Sequence, residues 1–559
     1  MDKEIFLTEF GHLAQGLDGV KKLRDLILQL AVQGKLVEQD LNDEPASVLL
    51  DKVEEQKNKL INEGIIKKKK RIATELEHSV LLPEKWEKET LGNVAFLLVD
   101  GSHNPPPKQP TGIPMLSGQN VLDGAITYDA SRYITEENYQ GEIKRTPIEK
   151  GDVFLSIVGT IGRSAVVPDK FPRFALQRSI ALIRTSLESH YLSLFLRSPF
   201  AKKYYDQNAK GTAQKGIYLG KLSELTLLIP PLAEQKRIVA KVDELMTLCD
   251  ELEATQKANV TLKRDCVAST LHHLSEASDK DEIKSNWSIA ENNFGKWFDD
   301  LETVKNLRAT ILQLAVQGKL VEQDPNDEPA SVLLDKVKST LPEPKGRKRQ
   351  HVSISLDNVP FNIPSSWTWA RFPELGEFGR GKSKHRPRND PKLYLNGDVP
   401  LVQTGDVARS SGEITTYTAL YNKEGLAQSR LWEKGTMCIT IAANIADSGI
   451  LTFNACFPDS IVGFVPSAEF SDARYFEYFL RTAKEDLLKF APSTAQKNIN
   501  LSILEQVAIP LPPLAEQKRI VAKVDEVMAL CDELETQIMS SQTLNQNLMA
   551  SLCHHMTVN

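Results

Sequence analysis

Two long segments of this chain occur twice with almost no change, and this duplication constrains the fold more than any other feature. The segment Leu23–Val53 recurs as Leu307–Val337, and the segment Pro230–Glu253 recurs as Pro512–Glu535. The two repeats are offset by nearly the same number of residues, so the chain is a tandem duplication of one unit. We name the Leu23–Val53 repeat arm A and the Pro230–Glu253 repeat arm B.

The stretches between arm A and arm B, which we name head 1 and head 2, share a framework but little detail. IPMLSGQNV in head 1 aligns with VPLVQTGDV in head 2, and TAQKGIYL aligns with TAQKNINL, whereas most other positions differ. Near-identical arms suit two copies of one partner, or contacts with each other, and divergent heads suit two different targets. Recent recombination that exchanged one head would leave the same pattern and is compatible with this interpretation.

The repeats divide the chain into five segments. We predict an N-terminal helical arm at 1–82, head 1 at 83–230, a central repeat region with a spacer helix and a second helical arm at 231–363, head 2 at 364–512, and a C-terminal spacer helix at 513–559. Each head contains short β-branched runs between Gly, Pro and Asn turns, together with one apparent helix. The predicted class is therefore α+β, with two mixed α/β domains separated by long helices.

The arms have the periodicity of helices. Apolar residues of arm B step by four and three, as in a coiled-coil seam, and Glu234 lies in the first turn, where the helix dipole favours an acid. In arm A, Gly34 and Gly318 are the predicted ends of a first helix, and Asn42 or Asp43 is the predicted cap of a second. The predicted seam consists of Ile238, Val242, Leu245, Cys249 and Leu252 in the first copy and Ile520, Val524, Val527, Cys531 and Leu534 in the second.

The composition is that of a globular protein, and we expect neither a membrane segment nor a secretion signal, because the first residues are acidic and lack the layout of a signal peptide. The 559 residues are 41% hydrophobic, and no stretch approaches the roughly 18 unbroken apolar residues of a membrane helix. The six cysteines form no CxxC pair, so we expect reduced thiols and a cytoplasmic location. The net charge of -6 gives no global sign of a nucleic-acid binder, so local charge decides that question.

Motifs that resemble catalytic or cofactor sites lack the context that such sites need. GEFGRGKS at 376–383 matches the phosphate-binding pattern GxxxxGK[ST], but prolines crowd both flanks and the aligned part of head 1 has no trace of it. NPPP at 104–107 lacks the aromatic residue of an adenine methyltransferase motif, and the adjacent Cys553, His554 and His555 diverge around a helix axis. We therefore predict neither a catalytic residue nor a metal site.

The remaining polar side chains form a pattern typical of nucleic-acid binding. Arg, Lys, Gln and Asn contact base edges and phosphates, and ordinary surface polarity is the alternative for any one of them. The predicted DNA-binding residues are Lys108, Gln119, Asn120, Arg163, Gln177, Arg178, Gln214 and Lys215 in head 1 and Arg380, Lys382, Lys384, Arg386, Arg388, Gln403, Thr404, Gln496 and Lys497 in head 2. Among them, Arg386 and Arg388 are expected on phosphates.

The motifs PPLAEQKRIVAKVDE and LQLAVQGKLVEQD, each present twice, make the whole chain resemble the specificity subunits of type I restriction–modification systems. This resemblance implies two target-recognition domains, each bound to one half of a split, asymmetric site in double-stranded DNA. It also implies spacer helices packed antiparallel in a pseudo-twofold frame. Two adenine-N6 methyltransferase subunits and the restriction subunits would then carry S-adenosylmethionine, ATP and Mg, so no cofactor and no membrane contact is expected on this chain.

The resemblance allows a geometric prediction. A helical spacer of about 30 residues spans roughly 45 Å, and half-sites on one face of DNA lie about 34 Å apart. A heptad inserted in arm B should therefore change the gap between half-sites and leave their sequences unchanged. Two other interpretations stay open: a scaffold whose heads bind protein partners, and an ATPase that depends on Lys382.

Overall fold

The structure, a computed structural model, describes residues 18–68, 70–73, 82–211, 214–277, 279–342, 354, 359–442, 445–489 and 499–558. Internal contacts divide the chain into two units. Unit 1 comprises Met1–Asn259 and Ser541–Asn559, and unit 2 comprises Val260–Ser540. Over the ranges just given, no helix combines the length and the apolar character that crossing a membrane requires.

Unit 1 contains two helices of arm A, head 1 and the beginning of a long helix. The arm A helices are α1 (Gly19–Val32) and α2 (Ala46–Asn62), and the long helix is α8 (Leu232–Glu276). In chain order head 1 consists of β1 (Glu87–Thr90), α3 (Leu91–Val94), β2 (Leu97–Asp100), β3 (Ile113–Leu116), β4 (Tyr133–Ile134), α4 (Glu136–Arg145), β5 (Val153–Ser156), β6 (Ser164–Val166), β7 (Ala175–Leu176), β8 (Ile180–Arg184), α5 (Ser189–Arg197), α6 (Pro199–Asn208), α7 (Leu219–Ser223) and β9 (Thr226–Ile229).

Arm A forms two helices, with one prediction confirmed and one corrected at their ends. Gly34 follows α1 with φ +73°, the left-handed conformation that glycine adopts without strain, so it ends the helix as expected. The predicted cap of α2 is wrong, because Pro45 holds the cap position and no side chain caps the helix. Asp43 instead forms an ion pair with Arg237 at 2.6 Å, and Asn42 hydrogen-bonds an aspartate of its own loop.

Head 1 is built on an antiparallel sheet in the order β2-β8-β5-β6, with a smaller sheet in the order β4-β3-β7. Strand β1 pairs antiparallel with β9, with Glu87 opposite Ile229, so the chain enters and leaves the head on neighbouring strands. One apolar core joins α1, the larger sheet and the start of α8, and it includes Leu23, Leu155 and Ile238. Arm A therefore shares its core with head 1.

The apparent single helix over HYLSLFLRSPFAKKYYDQ is two helices, α5 and α6, so that prediction is wrong. Proline lacks a backbone N–H and is favoured in the first turn of a helix, so Pro199 begins α6. The Ser198 hydroxyl accepts a hydrogen bond from the backbone N–H of Ala201 at 3.3 Å and caps the new helix. The Ser-Pro step thus breaks an otherwise continuous apolar face.

Unit 2 repeats this organisation with additional elements. Before head 2 lie α9 (Lys280–Asn292), α10 (Phe294–Trp297), α11 (Leu301–Val316) and α12 (Ala330–Thr340), and after it begins the long helix α18 (Leu514–Val558). Head 2 consists of β10 (Thr368–Ala370), α13 (Phe372–Leu375), β11 (Gly376–Arg380), β12 (Val399–Leu401), α14 (Thr404–Arg409), β13 (Glu413–Ile414), β14 (Ala419–Tyr421), α15 (Lys423–Gln428), β15 (Leu431–Trp432), β16 (Met437–Thr440), β17 (Ser448–Leu451), β18 (Ala455–Cys456), β19 (Ile461–Pro466), α16 (Arg474–Lys489), α17 (Leu501–Gln506) and β20 (Ile509–Leu511).

Head 2 has the framework of head 1 despite its different sequence. Its larger sheet has the order β11-β19-β16-β17-β13, its second sheet has the order β14-β12-β18-β15, and β10 pairs with β20 as β1 pairs with β9. The hydroxyl of Tyr475 donates to the carbonyl of Pro510 at 2.6 Å, as Tyr191 does to Leu228 at the same distance. The predicted α+β class with two mixed domains is confirmed. The GEFGRGKS match is a strand, β11, followed by a loop instead of the helix of a phosphate-binding loop.

The two long helices each run for 45 residues, about 68 Å of helix and more than the 45 Å estimated for the spacer. Their seam is buried in two kinds of surroundings. Ile238 lies in the core with head 1, whereas Cys531 shares a cluster with Val267 of α8 and Leu307 of α11 within unit 2. The seam residues that are buried are Ile238, Val242, Leu245, Cys249, Ile520, Val524 and Cys531, and those that are partly buried are Leu252, Val527 and Leu534.

Candidate nucleic-acid interface

Five loops of head 1 meet at one end of its larger sheet. We name them loop cluster 1, which consists of residues 101–103, 117–120, 157–163, 177–179 and 214–217. The hydroxyl of Ser179 accepts from the backbone N–H of Gly118 at 2.9 Å, and its carbonyl accepts from Ile157 at 2.9 Å. Gly159 donates to the carbonyl of Lys215 at 3.0 Å. Backbone bonds therefore hold loops from distant parts of the chain side by side.

Head 2 places the equivalent loops at the same end of its own sheet. Loop cluster 2 consists of residues 381–390, 403–406, 441–442, 445–447 and 458–460. The backbone N–H of Ile441 donates to Ser460 at 3.0 Å, as Ile157 donates to Ser179, and Ile499 donates to Ile441 at 3.0 Å. The parallel pairing of β12 with β18 brings the residues that follow both strands to this end. The loop framework is thus duplicated along with the arms.

A polar turn is held in the same way in both clusters. The side chain of Asn120 accepts from the backbone N–H of Ser117 at 2.9 Å, and the side chain of Asp406 accepts from Gln403 at 2.9 Å. Asn120 is only 5% exposed, and its amide also donates to a backbone carbonyl at 2.9 Å. This burial favours a structural role for Asn120, whereas the neighbouring Gln119 is exposed.

The structure brings most of the predicted residues of head 1 into loop cluster 1. Gln119, Arg178, Gln214 and Lys215 are exposed there, and Arg163 and Gln177 are half-buried. The amide of Gln177 donates to the carbonyl of Met115 at 3.3 Å. Lys108 is exposed but lies outside the cluster, on the proline-rich loop that Gln109 ties to the carbonyl of Tyr133 at 2.9 Å.

Two arginines of head 1 have guanidinium groups that are available to a ligand. Among the described residues of 83–230, the other arginines each have a side-chain hydrogen bond or ion pair, as Arg184 has with Asp152 at 2.7 Å. Arg163 and Arg178 have neither with any residue of that range or of the rest of the described chain. Both belong to loop cluster 1, and phosphates and guanine are the DNA groups that unpaired arginine binds best.

The basic loop of head 2, residues 380–388, contains five cations in two different states. Arg386 donates to the carbonyl of Ser383 at 2.6 Å, and both Arg386 and Arg388 lie against the carboxylate of Asp459. Arg380, Lys382 and Lys384 are exposed and have no ion pair within the described part of unit 2. The free positive charge of the loop therefore lies on these three residues.

The basic loop is anchored by side chains from elsewhere in head 2. The Gln428 side chain accepts from the backbone N–H of Lys384 at 2.6 Å, and the Ser429 hydroxyl donates to the carbonyl of Lys382 at 2.8 Å. At its end, the backbone N–H of Lys392 and the ring of His385 hold the pKa of Asp390 below its ordinary value. The loop is thus shaped before any ligand binds.

The remaining predicted residues of head 2 divide into two groups. Gln403 is exposed and Thr404 is half-buried at the start of α14, within loop cluster 2. Gln496 and Lys497 lie outside the described residues. Their aligned counterparts in head 1, Gln214 and Lys215, are exposed in loop cluster 1.

Equivalent positions of the two clusters carry opposite charges. Ser179 accepts from the backbone N–H of Ile157, and Ser460 accepts from that of Ile441, so the two serines are equivalent. The residues that precede them, Arg178 and Asp459, therefore occupy equivalent positions. In head 1 this position is a free arginine, and in head 2 it is the aspartate that binds Arg388. Heads with one framework and different side chains at the same loop position are suited to different ligands.

Sequence reasoning missed a second set of polar residues, at the junction of the arms and the heads. Glu234 lies in the first turn of α8, as the sequence predicts, and its carboxylate is also buried against Trp86 and Gln39. The signal was present in the repeats, because both heads begin with a tryptophan shortly after a Pro and both long helices begin with LAEQ. Neither pattern shows by itself that the two meet.

The two heads share one loop framework, carry different side chains on it and are each followed by a long helix. This arrangement defines a class of protein with two recognition domains. The family described as "Type I restriction modification DNA specificity domain" matches residues 83–262 and again 364–541. The chain therefore belongs to the specificity subunits of type I restriction–modification systems and has two target-recognition domains. The family expected from the repeated motifs is confirmed.

Two Escherichia coli specificity subunits are similar to the chain over nearly its whole length. The EcoEI specificity subunit of Escherichia coli is 30% identical over 96% of this chain and 93% of its own length. The EcoAI specificity subunit of Escherichia coli is 28% identical over the same shares. The HsdS subunit from Thermoanaerobacter tengcongensis, a crystal structure, matches 86% of this chain and 98% of that chain at 17% identity and a TM-score of 0.42.

Proposed function

We propose that head 1 and head 2 each read one half of a bipartite, asymmetric DNA site within a cytoplasmic restriction–modification complex. In this proposal the chain is not catalytic. It binds DNA and recruits two adenine-N6 methyltransferase subunits and the restriction subunits. S-adenosylmethionine, ATP and Mg bind to those partners and not to this chain.

One observation carries the proposal: two loop clusters with the same backbone bonds present different side chains. A duplicated framework places its loops in the same way twice, so the side chains alone decide what each head binds. Arg178 in head 1 and Asp459 in head 2 occupy the same position with opposite charge. Two unlike readers joined in one chain require an asymmetric site in two parts.

The polar residues of each cluster divide between positioning and reading. Phosphate contacts fix the register of a protein on DNA, and base contacts give specificity. Lys215 in head 1 and the three free cations of the basic loop, Arg380, Lys382 and Lys384, have the exposure that phosphate contacts need. The backbone N–H of Arg178 donates to the carbonyl of Ser102 at 3.0 Å, which anchors its turn, and its unpaired guanidinium suits the paired acceptors of guanine.

Selection of bound duplexes from a random pool, with the chain assembled with its methyltransferase partner, tests this function. The expected product has two short defined sequences separated by a gap of fixed length and random composition. A variant with Arg178→Ala should alter one defined sequence only, and the other serves as its internal control. A single uninterrupted site, or no enrichment, contradicts the proposal, and the latter result favours a scaffold that binds proteins.

The assignment of cofactors to the partners has its own test. Calorimetric titration of the purified chain with S-adenosylmethionine or with ATP and Mg should give no binding heat, whereas the assembled complex should bind S-adenosylmethionine. Binding of ATP by the chain alone, lost in a Lys382→Ala variant, would favour the ATPase interpretation.

A further inference from the structure

In unit 1, three separate segments meet at one buried carboxylate. Glu234, in the first turn of α8, is 1% exposed. One of its oxygens accepts from the indole N–H of Trp86, at the entrance of head 1, at 3.0 Å. The other accepts from the side-chain amide of Gln39, in arm A, at 2.7 Å. Glu234 therefore connects the long helix, the head and arm A, and we name this arrangement the joint.

Further contacts surround the joint of unit 1 and leave little freedom in it. Arg237, one turn further along α8, binds Asp43 of arm A at 2.6 Å. Gln235 is fully buried, and its amide donates to the carbonyl of Pro230 at 2.8 Å. The end of α1 packs so closely that a Cβ on Gly34 would lie 2.6 Å from a ring carbon of the proline before Trp86.

Unit 2 contains the same joint built from the equivalent residues. Glu516, at the start of α18, accepts from the indole of Trp367 at 3.0 Å and from the amide of Gln323 at 2.6 Å. Arg519 binds Asp327 at 2.7 Å. The arm residues of both joints come from the repeated segments, and only the tryptophan comes from a head. The repeated segments therefore supply the same joint residues in both units, and each joint consists of contacts inside its own unit.

The joint has an electrostatic cost that a purely structural contact would avoid. Both oxygens of Glu234 face neutral donors, and it forms no ion pair with any described residue of unit 1. The nearby Arg237 is engaged with Asp43. Burial raises the pKa of Glu234, and burial also raises the pKa of Glu516. A buried carboxylate of this kind adds little stability, but its hydrogen bonds are strict in direction.

We propose that Glu234 and Glu516 are positioning residues that fix the direction in which each long helix leaves its head. This inference rests on the proposed function, because the direction matters only if two heads read one DNA molecule. An indole N–H and an amide N–H that converge on one carboxylate define the angle between head, arm and helix. A changed angle displaces the head on its helix. The joint therefore determines the length of the gap at which both heads can bind their half-sites at the same time.

The test measures binding as a function of the gap. The assembled complex is titrated against duplexes that carry both half-sites selected by the wild type, with the gap lengthened or shortened by one, two or three base pairs. Glu234→Gln and Glu516→Gln keep the side-chain shape but turn one acceptor into a donor that faces another donor. The preference for the best gap over its neighbours should fall about tenfold in each variant, as expected for the loss of one charged hydrogen bond.

Matched controls separate positioning from general damage. Glu244→Gln and Glu526→Gln make the same change on exposed acids of the same helices, which form ion pairs with Lys241 and Lys523, and they should keep the gap preference. Trp86→Phe removes the indole donor and keeps an aromatic ring, so it provides a second variant if the glutamine variants do not fold.

The possible outcomes lead to different conclusions. An unchanged gap preference in folded glutamine and phenylalanine variants overturns the inference. An equal loss of affinity at every gap, together with lower thermal stability, overturns it as well, since that result describes a structural residue. If the wild-type complex selects no two-part site, the proposed function fails first.

Discussion

The free cations of the basic loop allow a prediction with a calculable magnitude. Each phosphate that a cation neutralises contributes about 0.9 to the slope of log affinity against log salt concentration. Arg380, Lys382 and Lys384 are exposed and have no ion pair in the described part of unit 2. Replacing all three with Ala should therefore reduce the slope by about 2.7.

This change in slope corresponds to a large difference in salt sensitivity. Between 50 and 200 mM salt, a fourfold increase, the wild type should lose about 40-fold more affinity than the triple variant. Fluorescence anisotropy of a labelled duplex, measured with the assembled complex at five salt concentrations, gives the slope directly. The loss should be the same for specific and random duplexes, because phosphates carry no sequence information.

Two comparisons make the prediction strict. A control with Lys305, Lys423 and Lys434 replaced by Ala removes the same charge from exposed lysines outside loop cluster 2 that have no ion pair in the described part of unit 2, and its slope should not change. Replacing Arg386 and Arg388 should change the slope less than the triple variant does, because Asp459 already contacts both. An unchanged slope in the triple variant, or a loss confined to one base position, refutes the phosphate role of the loop.

Unit 1 offers three further substitutions, at Arg178, Gly34 and Glu234, whose effects can be measured. Arg178→Ala should relax discrimination at one base pair by about 1–3 kcal/mol, seen as a degenerate position in selected duplexes; an unchanged consensus contradicts base reading. Gly34→Ala should lower the free energy of unfolding in urea by roughly 1–3 kcal/mol, because Gly34 has a positive φ and packs closely against a proline. Gly141→Ala, at an open position in a helix, should raise it by about 1 kcal/mol, and equal effects would contradict the close packing of Gly34. Burial raises the pKa of Glu234 above its ordinary 4.5, so folding takes up protons in the window above that value. The unfolding free energy of the wild type minus that of Glu234→Gln should therefore fall as pH rises through this window, and a rise would refute the sign.

The sequence was sufficient to predict the arms because their signals are local. Apolar spacing and Gly34 predict where α1 lies and where it ends, and the structure agrees. The predicted cap of α2 was wrong because Asp43 forms an ion pair with Arg237, which lies 194 residues away in the chain. Local capping rules compare neighbours only, and a stronger distant partner changes the outcome.

The heads were less predictable because their loops depend on distant contacts. From the sequence alone, Arg178 and Arg388 are equivalent predictions, because both are basic residues in polar loops. The structure separates them, because the Arg388 side chain binds Asp459, 71 residues away, whereas the Arg178 side chain has no hydrogen bond or ion pair with a described residue. Loop packing decides which cation has no partner. Loop packing depends in turn on backbone hydrogen bonds between distant residues, which the periodicity of the sequence does not predict.

The pairing of the first and last strands of each head has a consequence for how such proteins can change. Since β1 lies beside β9, and β10 beside β20, the chain crosses the boundary of each head at a single place. Everything between those strands can be replaced as a cassette while the surrounding helices keep their positions. A new cassette must supply the two boundary strands, the apolar face that packs against arm A and the long helix, and the tryptophan before the first strand. All side chains of one loop cluster can therefore change in one genetic event.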